Sequence, residues 1–179
     1  MENRRNLLEI ANANILYRNF SGLEKKAMVN GTMRTVNDAG NRNFTVIIDP
    51  VNSEVYWNGE RVTNPDFGQE LADMGYNVSV KPGREEGDPV QYRLPVAVSY
   101  NGTIKPHLYL VTKGNKVLMD EQMVDELDMA DIVKADIAIN NGRPYINNQG
   151  QEKVKAWCNE GYFVIAQSRF ASEYDFDAQ

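Results

Sequence analysis

The sequence predicts a mainly β, α+β fold with a small barrel or sandwich at its centre. Three observations carry that reading. Val90, Tyr92, Leu94, Val96, Val98 and Tyr100 alternate with Gln91, Arg93, Pro95, Ala97 and Ser99, the period of a strand with one buried face. Asn-Gly pairs at 58–59, 101–102 and 141–142 separate apolar runs and mark tight turns. Helical spacing is confined to two short stretches, near 65–74 and 121–127.

Taken in order, strands are expected at 14–20, 43–49, 77–81, 90–100, 105–112, 116–119, 132–140 and 152–166. The last is two strands, or one strand broken at Gly161. Val55 to Val62 reads as a hairpin around Asn58-Gly59, and Asn101-Gly102 as a second hairpin joining the strands at 90–100 and 105–112. A further turn at 140–143 separates Ile137 and Ile139 from Tyr145 and Ile146. Pro95 and Pro106 lack a backbone donor and belong at an edge or a bulge. One helix is capped by Asn64, has Pro65 at its first helical position, aligns Phe67, Leu71 and Met74, and ends at Gly75. A second, from Glu121 to Leu127, is capped by Asp120. Residues 81–89 form a polar loop rich in Gly and Pro.

A chain of 179 residues with 42% hydrophobic and 25% charged residues has the composition of one globular domain. The expected division is a domain at 1–170 and an acidic, flexible tail at 171–179. Apolar runs such as Val46-Ile47-Ile48 are far short of the ~20 residues of a membrane span. The start, Met1 to Arg5 followed by Leu7-Leu8-Glu9-Ile10, has no signal-peptide core. The single cysteine, Cys158, suits a reducing cytosol, so the five Asn-x-Ser/Thr triplets read as chance. Charge is uneven: residues 1–43 carry +3, 44–119 carry −2 and 120–179 carry −7, within a net −6. Such asymmetry fits a basic binding surface with an acidic end, or a generic acidic protein whose charge keeps it soluble.

The composition excludes much catalytic chemistry. One Cys and one His, His107, cannot build a typical structural zinc site, and any Ser-His-Asp or Cys-His system would have to run through His107. No Walker loop or GxGxxG is present, and no cofactor is expected. Asp136 followed by Gln151-Glu152-Lys153 faintly matches a Mg²⁺ nuclease layout, but the spacing is loose; a solvated strand and loop is the plainer reading.

Aromatic and basic residues interleave more suggestively. Tyr17, Arg18 and Phe20 precede Lys25 and Lys26; Arg42-Asn43-Phe44 opens the next strand; Tyr92-Arg93 and Lys105 with Tyr109 add further pairs. Cations that neutralise phosphates beside rings that stack on bases are the equipment of single-strand nucleic-acid binding. Strand aromatics are core residues more often than stacking platforms, and Tyr17, Phe44 and Tyr109 are read that way too. Trp57, beside Asn58-Gly59, is either exposed or a lid on the core.

The stretch Ile15-Leu16-Tyr17-Arg18-Asn19-Phe20-Ser21-Gly22, followed by Gly40-Asn41-Arg42-Asn43-Phe44 and the apolar strand 45–49, resembles a family of tailed-bacteriophage single-stranded-DNA-binding proteins of OB-fold type. Pro106–Thr112 entering Lys113-Gly114-Asn115-Lys116, then Leu127-Asp128-Met129-Ala130-Asp131-Ile132, then residues 154–165 are similar too, so the resemblance covers about 12–170. It implies an OB-like five-stranded barrel core with inserted hairpins and one or two short helices. Two features depart from the family pattern: a longer link at Lys25–Arg34 and the Val55–Val62 hairpin. The motif positions carried over are Tyr17, Arg18, Asn19, Phe20, Arg42, Asn43 and Phe44; with Lys25, Lys26, Trp57, Tyr92, Arg93, Lys105 and Tyr109 they make the candidate DNA-binding set.

The resemblance implies a non-enzymatic, sequence-tolerant single-stranded-DNA-binding protein of a bacteriophage. It would protect single strands in replication or recombination in the cytoplasm of the infected bacterium. The acidic end, with Tyr174, Asp175, Phe176 and Asp177, then reads as a docking tail for phage or host replication proteins, or as a solubilising end. The alternatives are an acidic phage protein that binds protein rather than DNA, such as a DNA mimic, and, remotely, the Mg²⁺ nuclease.

Overall fold

The computed structural model describes residues 6–113 and 115–166; the expected tail, with Tyr174, Asp175, Phe176 and Asp177, lies outside them. Strands dominate: β1 (Leu7–Ala11), β2 (Ile15–Asn19), β3 (Lys25–Val29), β4 (Thr32–Asn37), β5 (Arg42–Ile47), β6 (Glu54–Trp57), β7 (Glu60–Arg61), β8 (Ser79–Lys81), β9 (Gln91–Val98), β10 (His107–Thr112), β11 (Asn115–Leu118), β12 (Ile132–Asn141), β13 (Tyr145–Ile146), β14 (Glu152–Lys153) and β15 (Ala156–Ile165). Two short helices, α1 (Phe67–Asp73) and a 3-10 helix (Met123–Asp128), complete the described elements.

Eleven strands form one sheet whose main path runs β2-β5-β9-β15-β12-β1-β6-β7. The fold is mostly β, in keeping with an OB-like class, but this path ends at β2 and β7 without closing into a barrel among the described residues. The period-two reading holds from Tyr92 to Tyr100: Tyr92, Leu94, Val96, Val98 and Tyr100 are buried and the residues between them face away from the core, whereas Val90, just before β9, is exposed. In β12, Ala135, Ile137 and Ile139 bury; in β15, Ala156, Cys158, Gly161 and Phe163 do so. Pro95 pairs with Thr45 of β5, while on the other edge of β9 strand β8 stops opposite Arg93 and β15 begins opposite Ala97. The missing donor therefore falls in a gap in the pairing, the position a strand proline needs.

Two tight turns form as Asn-Gly chemistry requires. Asn58 and Gly59 (φ 50° and 85°) close β6 onto β7, and Asn30 and Gly31 (φ 51° and 80°) close β3 onto β4. The second is the hairpin that the long link at 25–34 conceals. Asn101-Gly102 does not join a hairpin, because neither residue has positive φ and β9 does not pair with β10. Both strands instead run parallel to β15, Ala97 opposite Trp157 and His107 to Val111 opposite Glu160 to Val164. The connecting residues make an excursion along that shared edge. Long-range pairing with β15 overrides the local turn signal. The strand expected at 152–166 divides at Val154-Lys155 rather than at Gly161.

The helices form near their expected places. Asn64 does not cap α1: it accepts from the Asp66 backbone N–H at 3.0 Å in the turn before the helix, Asp66 takes the cap position and Pro65 stays outside; Phe67 and Leu71 bury, while Met74 stays largely exposed. A Cβ on Gly68 would lie 2.2 Å from the Tyr92 side chain, so glycine lets α1 sit directly on β9. The Asp120 carboxylate accepts from the N–H groups of Gln122 (3.0 Å) and Met123 (2.8 Å), and Val124 and Leu127 plug the 3-10 helix into the core.

Candidate nucleic-acid interface

The two Arg-Asn-Phe motifs meet in space. Asn19 of β2 stands opposite Asn43 of β5, and one residue on, Phe20 stacks on Phe44 at 5.2 Å. Phe163 meets Phe20 edge-on at 5.5 Å, and all three rings are fully buried. Neither Phe20 nor Phe44 offers a face to a base, so the expectation that they stack on DNA is corrected by their burial. The same holds for Tyr92, whose hydroxyl is bonded to Asp66 at 3.0 Å beneath α1. Burial pushes the Tyr92 hydroxyl pKa upward, and Asp66 adds to the shift.

The motif polar residues also look inward. Arg18 donates to the carbonyls of Leu127 (2.8 Å) and Ala130 (2.6 Å), satisfying the C-terminal end of the 3-10 helix. Asp128 returns the contact, accepting from the backbone of Phe20 (2.6 Å) and Ser21 (3.1 Å) and from the Ser21 hydroxyl. Arg42 donates to the Phe20 carbonyl at 2.5 Å and to Asp125 at 2.6 Å, with Glu121 at 3.4 Å, and its side chain is only 14% exposed. Asn19 is buried and brackets Leu23, donating to its carbonyl (3.0 Å) and accepting from its N–H (2.9 Å). Asn43 donates to Asn37 at 2.9 Å. Arg18, Asn19, Arg42 and Asn43 therefore bind this fold together through internal acceptors, and Arg42 and Asn43 also line the groove described below.

Trp57 is the lid rather than the exposed ring, edge-on to Phe67 (5.8 Å) and Tyr76 (6.2 Å). Lys25 and Lys26 lie on the β3–β4 hairpin, and Lys105 is exposed in the link before β10.

The remaining candidates lie on the face of the main sheet turned away from the core. Tyr17, in β2 at φ 51°, is 64% exposed; Arg93 of β9 donates to its hydroxyl at 2.9 Å and lies 5.5 Å from its ring centre. Tyr109 of β10 stacks on Tyr162 of β15 at 4.9 Å and 12°, and the Lys116 ammonium sits 4.9 Å above Tyr109 and 5.7 Å above Tyr162. Their neighbours Leu108 and Phe163 point the other way, into the core. A groove of about 360 Å³ is walled by Asn37, Arg42, Pro95, Glu121, Tyr145 and Trp157 among others. Lys155 lies 4.6 Å over the Trp157 ring. Gly142 passes so close that a Cβ there would be 2.8 Å from the indole nitrogen.

Trp157, Lys155, Tyr162, Lys116 and Tyr145 were absent from the sequence-derived set. The available signal is the spacing of Lys155 and Trp157, two apart within the strand expected at 152–166. Asp136 and Lys153 are not assembled as a nuclease pair: Asp136 in β12 accepts from the Asn12 N–H at 2.8 Å, whereas Lys153 belongs to the separate β13–β14 ribbon. No cluster of three or more metal-binding side chains occurs among the described residues. No helix among them is long and apolar enough to cross a membrane.

Comparison with solved structures finds gp2.5, a single-stranded DNA binding protein encoded by bacteriophage T7. That chain is 13% identical, with 97% of this chain and 98% of that one covered and a TM-score of 0.35. No curated protein sequence matches. A family model described as "Putative phage ssDNA-binding domain" matches residues 1–176. With nearly its whole length matched, the chain belongs to the phage ssDNA-binding domain family.

Proposed function

We propose that single-stranded DNA lies extended across the outward face of β9, β15 and β10, through the groove beside Trp157. The observation that carries this reading is a repeated pairing of cation and ring on one accessible face: Arg93 on Tyr17, Lys155 on Trp157 and Lys116 on Tyr109 and Tyr162. Each pair can neutralise a phosphate and offer an aromatic surface to a base. Stacking is worth ~1–3 kcal/mol per base and is indifferent to base identity, so binding is sequence-tolerant. A strand held this way is shielded from nucleases and from re-pairing, which is its use in phage replication and recombination. Glu121, the acid that lines the groove, is paired with Arg42, which also holds Asp125, and this weighs against a DNA-mimicking surface there. Residues 171–179, by their charge and their two aromatics, are the segment we assign to protein partners and to competition with DNA.

The test is a fluorescence titration with oligo-dT and with duplex of equal length at several salt concentrations. Oligo-dT should bind more tightly, and its log affinity should fall with log salt by about 0.7 per phosphate contact. Trp57 packs against the core, so the change in emission should come from Trp157 and vanish in Trp157→Phe. Equal affinity for duplex, or a signal that persists in Trp157→Phe, would overturn this placement.

A further inference from the structure

The β3–β4 hairpin is a separate two-stranded sheet that shares no strand pairing with the main sheet. An isolated two-stranded hairpin is marginal in water and gains stability by lying against something. Its tip carries Met28 opposite Met33, 62% and 59% exposed. Residues 25–37 hold Lys25, Lys26 and Arg34 and no acid, an unusual run in a chain of net charge −6. Lys26 approaches Glu24 at 3.4 Å with both ends exposed, a pair worth little in water. Lys25 and Arg34 have no ion-pair partner among the described residues.

The base of the hairpin is anchored at the groove. Asn37, the last residue of β4, lines the groove, donates to the carbonyls of Leu23 (2.8 Å) and Asn41 (3.1 Å), and accepts from Asn43. Asn19 holds Leu23 at the other leg. The asparagines of the two Arg-Asn-Phe motifs thus form a socket from which a cationic, methionine-tipped arm projects beside the groove.

We infer that this hairpin is a second contact for the same DNA strand, gripping nucleotides that emerge from the groove past Asn37. The inference rests on the groove being the DNA site. Charge selects the occupant: three cations without an acid fit a phosphate backbone, and the polarisable thioethers of Met28 and Met33 suit the faces of splayed bases. The groove and the arm together lengthen the bound segment beyond what the sheet face alone holds.

The test compares the full chain with a Lys25→Glu/Lys26→Glu/Arg34→Glu variant over oligo-dT lengths of about 4 to 16 nucleotides, the span of OB-type sites. All three positions are exposed, so the melting temperature should be unchanged. The shortest oligomers should bind within about twofold of wild type, and the longest at least tenfold more weakly at low salt. The salt slope of the longest should fall by roughly 2, three contacts at about 0.7 each. Unchanged binding of long oligomers would overturn the inference while leaving the groove reading intact. An equal loss at all lengths would also overturn it, since the arm would then act only through the overall field. If wild type binds no oligomer, both readings fall together. A Met28→Ser/Met33→Ser variant that alters sedimentation without DNA, while long-oligomer affinity stays put, would assign the tip to protein contact and reject the DNA arm.

Discussion

The ring of Phe20 stacks on that of Phe44 at 5.2 Å, one residue beyond the point where Asn19 faces Asn43 across β2 and β5. Two copies of the same tripeptide are thereby set side by side, and each residue type does the same job in both. The phenylalanines fill the core, the asparagines hold the hairpin base, and the arginines reach the 3-10 helix segment. Both motifs are a structural lock that joins β2 and β5 to the 3-10 helix segment.

Removing Arg18 or Arg42 should therefore cost stability rather than DNA contacts. Hydrogen bonds from charged donors contribute about 1.5–3 kcal/mol each, and truncation leaves the Leu127, Ala130 or Phe20 carbonyl without its partner. Arg18→Ala and Arg42→Ala should unfold at lower urea concentration, with the salt slope of oligo-dT binding by the folded protein unchanged. A smaller salt slope at full stability would return both arginines to the DNA.

Phe44→Ala should be among the most damaging substitutions. The ring is fully buried between Phe20 and the sheet, and such truncations cost about 3–5 kcal/mol. Equilibrium unfolding measures this directly; a loss below about 1 kcal/mol would mean the site collapses around the cavity.

Tyr109→Ala and Tyr162→Ala should each weaken oligo-dT binding by about 1–3 kcal/mol while leaving the unfolding midpoint nearly in place. The two rings stack on each other, so the double variant should lose less than the sum of the singles. Lys116→Ala should lower the salt slope as well as the affinity. Retained affinity in the double variant would move the DNA path away from β10.

Alkaline pH should destabilise the fold. Burial raises the hydroxyls of Tyr76 and Tyr100 from 10.0 to about 12 and the Cys158 thiol from 9.0 to about 12. In each case the folded state favours the neutral form. Stability is then full below the unfolded-state values and is lost as pH climbs from about 9 toward 12. Melting temperature should fall through that window, with tyrosinate absorbance rising at unfolding. The native Cys158 should resist thiol reagents at neutral pH, being buried as well as neutral.

Residues 171–179 carry three acids and no cation. On the proposed competition of this segment, of net −3, with DNA phosphates within about a Debye length, ~10 Å at 0.1 M, deleting it should tighten oligo-dT binding, most clearly at low salt. Calorimetric titration of the truncated chain checks this. Affinity unchanged at every salt concentration would rule out competition by the tail.

What depends only on neighbours along the chain is legible without the fold. The alternation at 90–100 settled which face of β9 is buried, Asn58-Gly59 settled the β6–β7 turn, and the two short helices followed from their spacing. The Arg-Asn-Phe motifs were enough to point to the family. Tertiary structure decided what those residues touch. An arginine beside an aromatic in a strand looks the same whether its acceptor is a phosphate or the Leu127 carbonyl 109 residues away. The Asn101-Gly102 turn signal yielded because β15 offers β9 and β10 a common parallel edge, and pairing between distant strands outweighs one local turn preference. The Trp157, Tyr162 and Lys116 surface was hidden for the same reason: its members come from strands far apart in the chain, and only the register of β10 on β15 brings Tyr109 over Tyr162.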